Sequence, residues 1–256
     1  MNKVRAKKYL GQHFLNDKEI AKSIIDLLSE NTAKVVEIGP GMGILTQFLC
    51  KKEIDLKLVE IDKESILYLI LHYPQLEKNM LEADFLKLNL QETFGNNFSL
   101  IGNFPYNISS QILFSVFENK DIIPEVVGMF QKEVAERVVA RKGKRRGILS
   151  VLLQAFYDIE YCFTVDEHVF QPPPKVKSGV IKLKRNKLEK LPCDEKLFKQ
   201  IVKAGFNQRR KTLRNALKAF SLENELVTTD LLQKRAEELS VEDFIIITKV
   251  CQKKQK

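Results

Sequence analysis

Lys34-Val35-Val36-Glu37-Ile38-Gly39-Pro40-Gly41-Met42-Gly43 is the stretch on which the fold turns. Its first half is a short apolar run of strand length. Its second half carries glycine at every other position, which lets a ligand approach the backbone ahead of a helix N-terminus. Ile44, Leu45, Phe48 and Leu49 then recur at helical spacing. Strand, glycine turn and helix together open a parallel α/β unit. Further along, residues 55–61 alternate into a second strand, and Ile66, Leu67, Ile70 and Leu71 stripe a second helix. Residues 79–82 read as a weaker third strand ending near Asp84. Residues 98–102 read as a fourth, ending at Asn103-Phe104-Pro105-Tyr106. Ile112, Leu113, Val116 and Phe117 stripe a third helix, and residues 126–130 form a fifth strand. This alternation predicts a doubly wound, Rossmann-like sheet that binds its ligands at the carboxyl ends of the strands.

After Gly143 the rhythm changes. Arg141-Lys142-Gly143-Lys144-Arg145-Arg146-Gly147 is a basic loop, followed by a helix from about Ile148 and strand-like runs at 157–165 and 176–184. Between those runs, Phe170-Gln171-Pro172-Pro173-Pro174-Lys175 can be neither helix nor central strand, so a stiff extended loop is expected. Residues 185–193 read as a polar linker, and the remainder is helical. Leu213, Ala216, Leu217 and Phe220 stripe one helix, with Arg210, Arg214 and Lys218 on its other side. Ser240 and Asp243 form a capping box before the last helix. The expected division is an α/β domain over 1–187 and a small all-helical C-terminal domain over 188–256.

Composition narrows the function. With 256 residues, 44% hydrophobic and 29% charged, the chain is not disordered. It has no apolar run of the ~18–20 residues that a membrane span needs. The basic start, Met1 to Arg5, is not followed by the apolar core of a secretion signal. Cys50, Cys162, Cys193 and Cys251 form no CxxC pair and there are only three histidines, so no metal site and a reducing cytoplasm are expected. The net charge of +9 is unevenly spread. Residues 1–130 hold 14 Lys+Arg against 17 Asp+Glu (−3), and residues 131–256 hold 28 against 16 (+12). The second half therefore calls for a polyanion, nucleic acid before anionic membrane.

The dinucleotide fingerprint G-x-G-x-x-G would need glycine at 44, where the chain has Ile44. Glu60, 21 residues after Gly39, ends the second strand, where a carboxylate accepts hydrogen bonds from a ribose diol. A net acidic half suits a cationic nucleoside better than a pyrophosphate, and S-adenosylmethionine is such a ligand. Asp84 is placed either to accept from an adenine amino group or to cap a helix. Asn103-Phe104-Pro105-Tyr106 suits methylation of an adenine amine, whose lone pair is conjugated into the ring. An amide oxygen and a proline-fixed backbone carbonyl can hold its two hydrogens and turn the lone pair outward, while a flat aromatic ring orients the base. A β-turn alone would explain the tetrapeptide equally well.

Several segments together are similar to the KsgA-type ribosomal RNA adenine dimethyltransferases. They are Gly11-Gln12-His13-Phe14-Leu15, Val36 to Gly41, Asn103 to Ser109, Phe170 to Val176 and Phe206-Asn207-Gln208-Arg209-Arg210-Lys211-Thr212-Leu213-Arg214-Asn215, in family order over nearly the whole chain. The resemblance implies a class I methyltransferase fold that acts as a monomer with S-adenosylmethionine and no metal. It implies dimethylation of two adjacent adenosines in a hairpin near the 3′ end of 16S rRNA, late in 30S assembly. By the same resemblance His13, Leu15, Gly39 and Gly41 would meet the methyl donor, Glu60 its ribose and Asp84 its adenine. Asn103 would touch the donor's edge and, with Pro105, hold the target amine. Tyr106 and Phe170 would stack on the target base. The chain departs from the family at Phe104, where Leu or Ile is more usual, and at Lys177, where an acid is frequent. A 23S rRNA methylating relative shares the catalytic half, but the Phe206–Asn215 run favours the small-subunit enzyme.

Overall fold

In Lys34–Ile38 all but the first residue are buried, which suits a central strand and not a solvated edge. The computed structural model describes residues 4–220 and 230–252. Its strands are β1 (Phe14–Leu15), β2 (Lys34–Ile38), β3 (Asp55–Glu60), β4 (Met80–Glu82), β5 (Ser99–Asn103), β6 (Glu125–Gln131), β7 (Tyr157–Val165), β8 (Phe170–Gln171) and β9 (Ser178–Arg185). Seven form one sheet in the order β4-β3-β2-β5-β6-β9-β7. β4, β3, β2, β5 and β6 run parallel, and β9 is antiparallel to β6. This is the class I methyltransferase topology that the resemblance implied. All five expected parallel strands form, within a residue or two at each end.

The crossover helices include α1 (Lys18–Ile25), α2 (Thr46–Leu49), α3 (Lys63–His72), α4 (Leu90–Phe94) and α5 (Ser109–Glu118). Asp17 and Asp62 cap α1 and α3 by accepting backbone N–H groups of the first turn. The helix expected directly after the glycines is shorter than its apolar stripe. Gly39, Gly41 and Gly43 all have positive φ (65°, 56° and 80°), and this left-handed path delays α2 until Thr46.

β1 and β8 are an antiparallel pair that periodicity did not suggest, with Phe14 opposite Gln171 and Leu15 opposite Phe170. Two-residue strands carry no alternation to read.

Two compact units emerge, Met1–Ala135 with Ile159–Arg185, and Glu136–Asp158 with Asn186–Lys256. One crossing lies beside the expected cut at 187. However, Glu136–Asp158, which includes the first two residues of β7, groups with the helices of the second unit. The reason is apolar: α6 (Ile148–Gln154) buries Val151, Leu152 and Leu153 and packs on α7 (Glu195–Asn207) and the last helix, Val241–Gln252. The capping box of that last helix is present, with Ser240 N–H donating to Asp243 (2.9 Å) and Asp243 N–H donating to Ser240 Oγ (3.1 Å).

The basic amphipathic helix expected up to Phe220 is corrected. Only Leu213–Ala216 is helical, and Arg210 lies in the preceding turn, off the helix. The Leu213 N–H donates to the Lys234 carbonyl, so the stripe is one turn pinned to a neighbouring segment. Arg146, read as one cation of the basic loop, is buried, and its Nη1 donates to the Ala140 carbonyl and to Gln154.

Candidate active site

Parallel strands β2, β3, β4 and β5 bring their carboxyl ends to one side, where a cavity of about 260 Å³ opens. Gly39, Gly41 and Glu60 line it from the first two strand ends, and Asp84 from the third. Asn103, Pro105 and Tyr106 line it from the fourth, and His13 reaches it from the N-terminal segment. Of the residues expected at the methyl donor, all but Leu15 thus share one space with Pro105 and Tyr106.

The glycine turn is shaped for close approach. A Cβ on Gly41 would stand 2.8 Å from the Phe14 ring, and the Gly41 N–H donates to Glu60 Oε2 (3.1 Å). Glu60 Oε1 accepts from the N–H groups of Ile61 and Asp62, both at 2.9 Å. These bonds fix the carboxylate, which is only 4% exposed. Burial pushes its pKa up despite the three N–H donors, which pull it down. Asp84 serves in the capping role, its Oδ1 accepting from the Leu86 N–H (3.1 Å), and it lines the cavity as well.

Asn103 Nδ2 donates to the His13 carbonyl (2.8 Å). That bond orients the amide and leaves its oxygen available to a ligand. The Pro105 carbonyl accepts from Ser109 Oγ (3.0 Å) and the Ile108 N–H (3.2 Å) at the start of α5. The proline-fixed carbonyl that lies next to Asn103 is that of Phe104. The Phe104 ring is buried against Gly102 and Gly128, which are in register on β5 and β6, and a Cβ on Gly128 would overlap that ring. The glycine pair is therefore what admits the bulky residue.

The Tyr106 hydroxyl bonds Ser178 Oγ (2.5 Å), and its ring lies 5.3 Å from that of His13. Burial raises the phenol pKa, so it stays protonated. His13 Nδ1 meets the Pro172 carbonyl (2.8 Å). Leu15 is buried and lines a smaller adjoining space with Glu37, Gly39 and Asn103, outside the main cavity.

Phe170 is corrected. It is 2% exposed, packs in the core with Leu15, and does not line the cavity. The β1–β8 pairing turns it inward and leaves Gln171 outside.

Sequence reading missed Glu37, although a carboxylate inside an apolar strand was visible. It is buried, accepts from Thr46 Oγ1 (2.7 Å), and burial raises its pKa from 4.5 to about 8. The unfolded chain ionises this group near its ordinary value, but the folded chain holds its proton until about pH 8. Its contribution to stability is therefore full below pH 4.5 and is lost as pH rises toward 8. Glu37→Gln is expected to raise the thermal midpoint at pH 8, with the gain shrinking toward pH 5. Thermal denaturation across that range checks it.

Among the described residues no cluster of His, Cys, Asp or Glu is arranged to hold a metal ion, and no helix is long and apolar enough to cross a membrane.

The family model "Ribosomal RNA adenine dimethylase" matches residues 3–253. A relative named ribosomal RNA small subunit methyltransferase A, from Cytophaga hutchinsonii, is 59% identical over 97% of this chain and 98% of its own length. The protein of that name from Flavobacterium johnsoniae is 57% identical over 97% and 96%. The crystal structure of a dimethyladenosine transferase from Plasmodium falciparum superposes with a TM-score of 0.77 at 25% identity, covering 92% of this chain and 96% of that one. With the family model covering residues 3–253 and a 59% identical relative matched over nearly its full length, the chain belongs to the ribosomal RNA adenine dimethylase family.

Proposed function

We propose that this chain methylates N6 of two adjacent adenosines in a hairpin near the 3′ end of 16S rRNA, twice each, with S-adenosylmethionine as donor, late in 30S assembly. The observation that carries the reading is the Asn103 amide, whose nitrogen donates to the His13 carbonyl and whose oxygen remains for the amine. The donor set suits the cofactor: Glu60 takes the ribose hydroxyls, Asp84 the adenine amino group, and Gly39 and Gly41 admit the methionine part against the backbone. Bound there, the cofactor supplies an electrophilic methyl group on a sulfonium. Asn103 Oδ1 and the Phe104 carbonyl accept the two N6 hydrogens and turn the lone pair outward, which is catalysis by orientation. Tyr106 stacks on the base. Once methylated, the nitrogen is acidic enough to lose its proton to solvent, and no general base is needed.

Tyr106→Ala is expected to lower kcat/KM for RNA about tenfold, the lower part of what base stacking contributes, with donor affinity unchanged in calorimetry. The exposed cations of the second unit, Lys142 and Lys144 in one loop and Arg210 and Lys211 in one turn, dock on phosphates. Arg209 is engaged with Glu237 (2.6 Å) and Arg145 with Glu136 (2.7 Å). Arg210→Glu with Lys211→Glu should weaken binding to 30S particles. It should also flatten the salt dependence by roughly 0.7 in log–log slope for each phosphate that is no longer neutralised. An unchanged slope would show a merely solvated surface. Labelled methyl transfer to undermethylated 30S particles tests the substrate, and label entering naked 23S RNA instead would overturn it.

A further inference from the structure

The segment Lys7 to Phe14 is gripped at points that no catalytic step has yet used. Asp62 has a fully buried side chain two residues beyond Glu60. Lys7 Nζ pairs with it and also with Glu64 (3.1 Å). Gln12 Nε2 donates to Asp62 Oδ2 (3.0 Å), and Gln12 Oε1 accepts the Lys7 N–H (2.8 Å). Ser65 Oγ and the Glu64 N–H complete the ring of donors. Burial alone would raise this carboxyl's pKa, but the donors outweigh it and hold the group below its ordinary value. The charged form is thus the one the site is built around.

Between these grips the segment turns over the cavity. Gly11 has φ +65°, and a Cβ there would stand 2.6 Å from Asn107 Oδ1. Asn107 Nδ2 holds the Tyr9 carbonyl (3.1 Å). The next residues, Gln12 and His13, line the cavity, and the His13 carbonyl receives the Asn103 amide. The cover and the amine acceptor are therefore joined by one hydrogen bond. If the cover lifts, Asn103 Nδ2 loses its partner, and the amide is no longer held with its oxygen toward the target.

We propose that Asp62 is a positioning residue: by gripping Lys7 and Gln12 it closes residues 7–13 over the cavity and so sets the amide of Asn103. The consequence is that the methyl-donor space and the amine acceptor are completed in one closure. The inference rests on the assigned methyl transfer for its kinetic part only.

Lys7→Met and Gln12→Ala test it in the full chain without touching the α3 cap that Asp62 also provides. Hydrogen exchange of residues 8–13 and turnover at saturating S-adenosylmethionine are measured together. Both variants should exchange faster there, and turnover should fall about tenfold, a factor equal to ~1.4 kcal/mol on the barrier. Thermal midpoints should hold, and Lys7→Arg should recover both readouts. Faster exchange with wild-type turnover would overturn the link to Asn103. Unchanged exchange in both variants would overturn the grip itself. Wild-type enzyme that methylates no RNA would instead sink the assigned function, and the exchange arm would still decide the grip.

Discussion

Asn103→Ala is expected to reduce turnover by at least about a hundredfold, the loss typical when one preorganised partner of a reacting group is removed. The effect should fall on kcat, because the amide matters most once the N6 nitrogen has become tetrahedral. Donor affinity should fall far less than turnover, since Glu60, Asp84 and the glycine turn are untouched. The substitution also removes the Asn103–His13 bond, so Asn103→Asp is an informative companion. It keeps an acceptor for the amine but sets a carboxylate against the His13 carbonyl, and it should also be slow. Single-turnover methyl transfer with saturating enzyme separates these effects from RNA binding. A wild-type rate in Asn103→Ala would defeat the mechanism.

Glu60→Ala should weaken S-adenosylmethionine binding by about 1.5–3 kcal/mol, the range for a hydrogen bond to a charged group. Calorimetry reads this as roughly a 10- to 100-fold rise in Kd. Because Glu60 also anchors Gly41, Ile61 and Asp62, part of the loss comes through the glycine turn. Glu60→Gln, which keeps one acceptor oxygen, should fall between. The pH dependence has a definite sign. Burial raises the Glu60 pKa, and the ribose hydroxyls need the ionised form as acceptor. Donor affinity should therefore drop on acidification from a pH above the ordinary carboxylate range, and the drop should vanish in Glu60→Gln. Equal affinities for wild type and Glu60→Ala would remove this residue from the site.

Much of this site was legible because strand ends are local features. An apolar run followed by glycines, a strand closing on Glu60 and another closing on Asn103 each declare themselves within ten residues. Parallel topology then brings their ends together without further information. What escaped depends on partners far away in sequence. Phe170 follows the same proline-rich pattern whether it faces a cavity or Leu15, and only the two-residue pairing with β1 decides it. Phe104 reads as a bulky departure until Gly128, across the sheet, is seen to make room. The one-turn helix at Leu213–Ala216 shows the limit of periodicity, because a stripe cannot say where a neighbouring segment will interrupt it. Lys7 and Asp62 lie 55 residues apart, and nothing local joins them.

The central claim is that a base-orienting asparagine and its neighbours place two methyl groups on one exocyclic nitrogen. The most direct test is digestion of labelled 16S rRNA from undermethylated 30S particles to nucleosides, with mass and chromatographic identification of the product. Label is expected in N6,N6-dimethyladenosine at two adjacent positions near the 3′ end. Label in a methylated cytosine, at adenine N1, or at scattered sites would contradict it.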